Sequence, residues 1–536
     1  MVLRWLQNLS RESLTSLALG ALVFVPASAF AQEDGLFDAP AAEEAGEEAA
    51  QPQLGDFNDI FGGPAAPTRT PEEADAIRQQ IAQFNAAARA KAEQGDIEGA
   101  IATYNEALAV ENNFESNFEM GVLLREQGYP EDATRAFVQA SAFANLVEDT
   151  NMVVRNYIEL GLAYLDADQF NAAISMFSNA MGLPGQSRNP ELMFNLGRAQ
   201  AEFALNQQFA TAQTRAEDLQ KAIDSLDRAL RIKPDFAEAL FERGKAYVEL
   251  GDLEQAIDDL KQSVALDPSN SEAVALLGVA SLSRGIGESN ARNGQTAQIT
   301  ADLEMAIAQL SRYLELVPEP EPFAEEDEDL DPRYQRENVM LQRSAAFISL
   351  AGEVPDRAKE LYTKAVADND AIIEKDPDNS DAYYQKGVAL RMLGDMPGAL
   401  AALTESIELS PFTSSEALLR RGILHFREGD YQLAQADFTR SIQFTRGGIN
   451  PRASFWRGLA KAKQEMTEEA ISDYSLAIRY QPNFSMAYYN RALLYMEMGR
   501  FDQAVNDLNQ VILRDSGNQQ ARQLRDQASE LAASES

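Results

Sequence analysis

The stretch SMAYYNRALLYMEMGRFDQAVNDLNQVILRDSGN, Ser485 to Asn518, decides how the rest of the chain is read. On either side of Gly499 its apolar residues recur three and four apart, the spacing of two amphipathic helices joined by a tight turn. A small residue, Ala492, stands at position 8, a second, Ala504, at position 20, and the larger Leu508 four further on. Small facing residues let two helices approach closely, and the larger one then fills the groove between them. The stretch predicts a helical hairpin of 34 residues, too small to bury its own apolar face, so neighbouring hairpins must stack on it.

Working outward, the same interval recurs. Pro234 and Pro268 lie 34 apart, as do Pro377 and Pro411, Gly244 and Gly278, and Gly251 and Gly285. Units begin near residues 81, 114, 154, 190, 237, 271, 339, 380, 415, 451 and 485. Position 8 is small again at Gly244, Gly278, Gly387, Gly422 and Gly458, and position 20 at Ala256, Ala306, Ala399, Ala434 and Ala470. Four residues later come Leu260, Leu310, Leu403, Phe438 and Tyr474.

In these positions the chain resembles the tetratricopeptide repeat family over about residues 81 to 518. The resemblance implies an all-α fold: a right-handed superhelical solenoid of about eleven helix pairs. Its concave face, lined by first helices, would hold a segment of a partner protein. Departures are expected at four places. FALNQQFATAQTR (203–215) suits lengthened helices, whereas IGESNARNGQTAQI (286–299) reads as a loop. The unit from 339 has a second helix about two turns too long, and PEPEPFAEEDEDLDP (318–332) reads as an acidic break between two sub-arrays. The expected organisation is therefore an array over 77–318, a break over 319–334, a second array over 335–518 and a capping helix and tail over 519–536.

Upstream of residue 77 the pattern is different. Arg4 and Arg11 precede an apolar run from Leu14 to Val25 and the small-residue site Ala29-Phe30-Ala31, which predicts a signal peptide over 1–31 and an exported protein, periplasmic or secreted. The run is too short to span a bilayer, which takes about 20 residues, so no membrane span is expected after cleavage. Residues 32–76 read as a disordered acidic leader, with the apolar island FNDIFGG (57–63) inside it. The formal net charge is −38, and removing two arginines and Glu12 with the signal leaves 44 − 83 = −39. Such a surface repels nucleic acid and anionic lipid and leaves basic proteins, divalent cations or polycations as partners by charge. The absence of cysteine excludes disulfides, thiolate metal sites and a cysteine nucleophile.

The single histidine, His425, falls at position 11 of its unit, where Tyr164, Tyr247 and Tyr495 stand in others, so a packing role is expected. One histidine builds neither a His-rich zinc site nor a metalloprotease helix. GIGESN (285–290) has two of three dinucleotide-loop glycines but follows a helix, and reads as a loop. Asp327 to Asp331 alternates oxygen ligands like a calcium loop, yet Pro332 replaces the turn glycine and Asn338 the closing carboxylate, leaving at most a loose divalent-cation contact. No catalytic residue, resident metal or cofactor is assigned.

Arg243/Asp259, Arg421/Asp437, Arg457/Asp473 and Arg491/Asp507 are each 16 apart and predict ion pairs within hairpins. With those removed, Tyr384, Arg391, Arg420, Arg427, Arg452, Phe455, Trp456, Lys463, Tyr489 and Asn490 remain as cations, rings and an amide on first helices. They are the candidate binding face for an acidic or carboxyl-terminated peptide. Asn490 matches the terminal-carboxylate clamp of some family members, but the clamp lysines are missing. The acidic leader offers itself as an occluding ligand for the same face. The expected function is a non-enzymatic scaffold for protein–protein interaction. The alternatives are an acidic binder of cations or polymers and, third, an enzyme with its site in the insertions.

Overall fold

The computed structural model of the chain describes residues 70–147, 149–207, 210–291, 296–318, 332–412 and 414–535. The expected signal peptide, the leader up to residue 69 with its FNDIFGG island, and the acidic run 319–331 lie outside the described residues.

Among the described residues there is no strand, and twenty-three α-helices follow one another as hairpins. In the first half the pairs are α1 (Pro71–Glu93) with α2 (Ile97–Val110), α3 (Phe114–Glu126) with α4 (Pro130–Ser141), and α5 (Thr150–Asp166) with α6 (Phe170–Gly182). Then come α7 (Pro190–Asn206) with α8 (Ala212–Ile232), α9 (Ala237–Leu250) with α10 (Leu253–Leu266), and α11 (Ser271–Ala291) with α12 (Thr296–Leu316). The series continues with α13 (Pro332–Glu353) and α14 (Ala358–Lys375), α15 (Ser380–Leu393) and α16 (Met396–Leu409), and α17 (Ser415–Glu428) and α18 (Tyr431–Phe444). It ends with α19 (Pro451–Lys463) and α20 (Thr467–Tyr480), α21 (Ser485–Glu497) and α22 (Phe501–Arg514), and a last helix, α23 (Gln519–Glu535), which packs on α22. Up to α22, odd-numbered helices are first helices and even-numbered ones second helices.

The hairpins close for the reason the residue sizes suggest. A methyl added at Gly422 would sit 2.7 Å from a ring carbon of Phe438, and one at Gly458 2.7 Å from a ring carbon of Tyr474. Position 8 is therefore a place where one helix backbone receives the side chain of the other. All four predicted ion pairs form with both carboxylate oxygens, from Arg243 to Asp259 at 2.7 and 2.7 Å and from Arg421 to Asp437 at 2.8 and 2.8 Å. Arg457 and Arg491 bond Asp473 and Asp507 in the same way. Paired forks of this kind fix the relative register of two helices. A fifth, Arg343 to Asp368, escaped the 16-residue rule because its hairpin is longer.

Several boundaries differ from the sequence reading. Thr70 and Glu73 form a reciprocal capping box before Pro71, so α1 starts inside the segment expected to be leader and runs for 23 residues. FALNQQFATAQTR does lengthen its pair, to 17 residues in α7 and 21 in α8. The segment 286–299, expected as a loop, instead extends both of its helices to 21 residues, with only 292–295 outside the description. GIGESN is therefore helix, not loop. Ile286 and Ile299 are buried there and Gly285 lies against Leu303, and that burial outweighs the helix penalty of about 1 kcal/mol per glycine. In the unit expected from 339, α13 starts at Pro332 and has 22 residues, while α14 has 18 against 14 in α16. The surplus sits mostly in the first helix.

The chain divides into two compact units, Met1–Arg284 and Gly285–Ser536, so the division falls within α11 and not at the acidic break. Within the second unit α12 packs directly on α13, and Arg336 Nη1 donates to the Leu314 carbonyl at 2.7 Å.

Candidate functional site

In the C-terminal unit, α15, α17 and α19 carry a connected polar group. Tyr384 on α15 is buried, and its hydroxyl accepts a hydrogen bond from Arg420 Nε on α17 at 2.8 Å. Arg420 also lies 3.1 Å from Glu416 on its own helix, and Arg452 on α19 reaches the same carboxylate at 3.6 Å. Burial raises the Tyr384 phenol above its ordinary range. Burial alone would lower the pKa of Arg420, but Tyr384 and Glu416 more than reverse this and raise it. Arg420 is thus a tie between helices, with its charge already balanced.

Arg391 and Arg427 are in a different state. They stand in the last turns of α15 and α17. Burial depresses the Arg391 guanidinium, and the charges of Arg420 and Arg427 depress it further. Its polar contact is with the sulfur of Met392 at 3.0 Å, and among the described residues neither Arg391 nor Arg427 has a carboxylate partner. Because its surroundings disfavour its charge, Arg391 gains from an anion brought to it.

The other sequence candidates are placed elsewhere. Phe455 is 3% exposed and packs on Phe484 (4.8 Å between centroids) and Tyr474 (5.8 Å), so it belongs to the core and not to a binding face. Trp456 lies against Phe426 and Phe438, at 5.5 and 6.3 Å, and joins one hairpin to the next. First-helix position alone did not separate rings that face the next hairpin from rings that face solvent. Asn490 donates to the carbonyl of Met486 in its own helix at 2.8 Å, which argues against a clamp role. Lys463 is exposed and Tyr489 half-buried, and no described hydrogen bond or ion pair links either of them to the arginines.

Sequence reasoning missed a charge cluster in the N-terminal unit. Lys245 on α9 is fully buried, with Nζ 2.9 Å from Glu202 on α7 and 2.8 Å from Glu242 one turn earlier. Burial would lower its pKa, but Glu242 and Glu202 raise it above the ordinary lysine range. Burial also raises the carboxyls of Glu249 on α9 and Glu272 on α11. Nothing in the repeat pattern marks position 9 of a first helix for a buried cation, so the cluster left no signature.

His425 is partly buried within its hairpin, with Nε2 3.9 Å from Asp437, beyond hydrogen-bond range. A cleft of about 580 Å³ between α2, α3 and α4 is lined by Ile97, Ile101, Met120, Leu124 and Tyr129. None of the residues lining it belongs to either insertion, and of its charged residues Asp132 and Arg135 pair with each other at 2.8 Å.

Comparison with known proteins returns the same repeat. Tetratricopeptide repeat families match residues 209–278, 351–413 and 474–506. The DnaJ homolog subfamily C member 7 of Mus musculus is 27% identical over 153 residues, covering 26% of this chain and 31% of the relative. The mitochondrial import receptor subunit TOM70 of Rattus norvegicus is 21% identical over 337 residues, covering 61% of this chain and 52% of that one. The chain thus spans about a third of the first relative and about half of the second. Among solved structures, the crystal structure of MamA is similar at 24% identity and a TM-score of 0.28, over 34% of this chain and 96% of that one. YrrB, described as a TPR protein with an unusual peptide-binding site, is similar at 18% identity and a TM-score of 0.32, over 44% and 92%. The matched stretches fall on hairpins in which a small residue at position 8 receives a large one from the second helix, and on that basis the chain is a tetratricopeptide repeat protein.

Proposed function

We propose that the protein is an exported, non-enzymatic scaffold whose first-helix face in the C-terminal unit holds an acidic or carboxyl-terminated peptide of a partner protein. In a diderm bacterium it would work in the periplasm. The observation that carries this reading is the pair Arg391 and Arg427, left without carboxylate partners in a chain whose net charge is −38. Ordinary surface arginines in so acidic a chain would be expected to attract carboxylates. Arg391 instead feels the charges of Arg420 and Arg427, and the Tyr384 ring beside it lies 5.7 Å from the Arg420 guanidinium; Arg427 is exposed. The names of the relatives, an import receptor subunit among them, fit a protein-binding role.

The test is fluorescence anisotropy of a labelled acidic peptide with a free carboxyl terminus. The variant Arg391→Ser/Arg427→Ser should bind at least about tenfold more weakly, the effect of losing one charge-assisted hydrogen bond of about 1.5 kcal/mol. Arg446→Ser/Arg479→Ser removes two exposed arginines and the same net charge, and should change affinity less than about twofold. Equal weakening by both pairs would mean that the peptide senses only overall charge. Steep loss of binding with salt in the wild type would point the same way, since a packed site loses less than a diffuse one.

A further inference from the structure

We propose that His425, Glu428 and Asp430 form a binding site for a single transition-metal ion of the zinc class. One ligand atom from each residue lies within 4.8 Å of the others, so a small closure of the side chains brings all three to a metal whose bonds are about 2.0–2.2 Å. The inference does not rest on the peptide-binding reading.

The backbone holds the ligands together. His425 and Glu428 stand in the last turn of α17, and Gly429, at a φ of 92°, turns the chain so that the Asp430 amide donates to the His425 carbonyl at 2.9 Å. At that φ a side chain would be strained, which suits glycine. The same Gly-Asp turn occurs before α2, α10 and α16. There Asp96, Asp252 and Asp395 each accept from a backbone amide three residues on and cap the second helix. Asp430 caps nothing, although its backbone angles are close to theirs. Its carboxylate is therefore not engaged in the role that its counterparts fill.

The histidine supplies the independent observation. Its Nδ1 is buried and has no hydrogen-bond partner, an arrangement that costs free energy unless something occupies it. Glu428 likewise has no described hydrogen bond or ion pair. Arg421, on the turn before His425, is held by both oxygens of Asp437 and does not neutralise the cluster. The carbonyl end of α17 adds its negative dipole, which favours a cation there.

One imidazole nitrogen with two carboxylate oxygens suits Zn²⁺, or Co²⁺, Ni²⁺ and Cu²⁺, better than Ca²⁺ or Mg²⁺, which prefer all-oxygen shells. Glu428 and Asp430 are exposed, so a fourth position faces solvent and takes water or a donor from another molecule.

Because the chain has one histidine, ¹⁵N-histidine labelling gives one pair of imidazole resonances, free of interference from metal bound loosely elsewhere on an acidic surface. Titrating the full chain with Zn²⁺ at neutral pH should move those resonances to saturation at one equivalent. Asp430→Asn and Glu428→Gln replace exposed residues whose side chains have no hydrogen-bond partner, so the fold is retained. Each should weaken the half-saturation point at least about tenfold. Asp395→Asn, at the equivalent turn of the preceding hairpin, should leave it unchanged. Imidazole resonances that stay fixed in excess Zn²⁺, or wild-type affinity in either ligand variant, would overturn the site.

Discussion

Lys245→Met should destabilise the N-terminal unit by about 3–5 kcal/mol, because it leaves two carboxylates without the cation that accompanies them into the interior. Glu202 and Glu242 are 7% and 5% exposed, so water reaches neither freely. Native-state hydrogen exchange reads the loss where it occurs. The amides of α9 should exchange about a hundredfold or more faster, while those of α21 and α22 stay unchanged, since repeat stacks transmit stability mainly to neighbours. Lys245→Met combined with Glu202→Gln and Glu242→Gln should recover part of the loss, because the buried carboxylates are neutralised, although Arg198 then loses its 4.0 Å contact with the Glu242 carboxylate. The pH dependence has a definite sign. A lysine whose pKa is raised by folding contributes fully below the unfolded value of about 10.4 and loses that contribution only as pH climbs through the higher folded value. Between pH 6 and 9 the contribution of Lys245 to the wild-type protein should therefore be constant, and any pH dependence of the Lys245→Met effect in that range comes from the carboxyls left without their cation.

Phe438→Ala is the second large effect, at about 3–5 kcal/mol. The ring is fully buried, and it fills the space that Gly422 leaves open across the hairpin. A glycine has no side chain with which to close the cavity. Trp456 stacks on this ring at 6.3 Å, and the only other tryptophan is Trp5, so Trp456 fluorescence reports the site directly. The urea midpoint followed by that signal should fall, and the transition should broaden as the hairpins uncouple. Leu433→Ala, on the same helix but exposed, should change stability by less than about 0.5 kcal/mol. Similar losses in both variants would mean that the sizes at positions 8 and 24 do not hold the hairpin together.

The hairpins and their ion pairs were legible in the sequence because both are set inside one repeat. A small residue at position 8 meets a large one at position 24, and Arg at 7 reaches Asp at 23, whatever lies beyond the hairpin. Boundaries governed by contacts between helices were less legible. The Gly, Asn and Ser residues of 286–299 favour a loop locally, yet Leu303 and the buried isoleucines hold much of the segment helical. Capping chemistry did mark the start of α1, in the T-x-x-E pattern from Thr70 to Glu73, but the surrounding composition masked it.

The candidate site was legible only as a list of cations and rings. Sorting that list needs three dimensions, since Arg420 and Arg391 are alike in sequence and opposite in state. One is tied to Tyr384 and Glu416, and the other is left against two more arginines. Phe455 and Trp456 turn inward because each hairpin must cover the next, a demand that sequence position does not separate from ligand binding.

The most direct test of the peptide-binding reading is hydrogen exchange of the chain with and without a saturating acidic peptide that carries a free carboxyl terminus. Protection is predicted along α15, α17 and α19, strongest in the last turns that hold Arg391 and Arg427, with α16 and α18 unaffected. Protection confined to the second helices, or spread evenly along the chain, would contradict it.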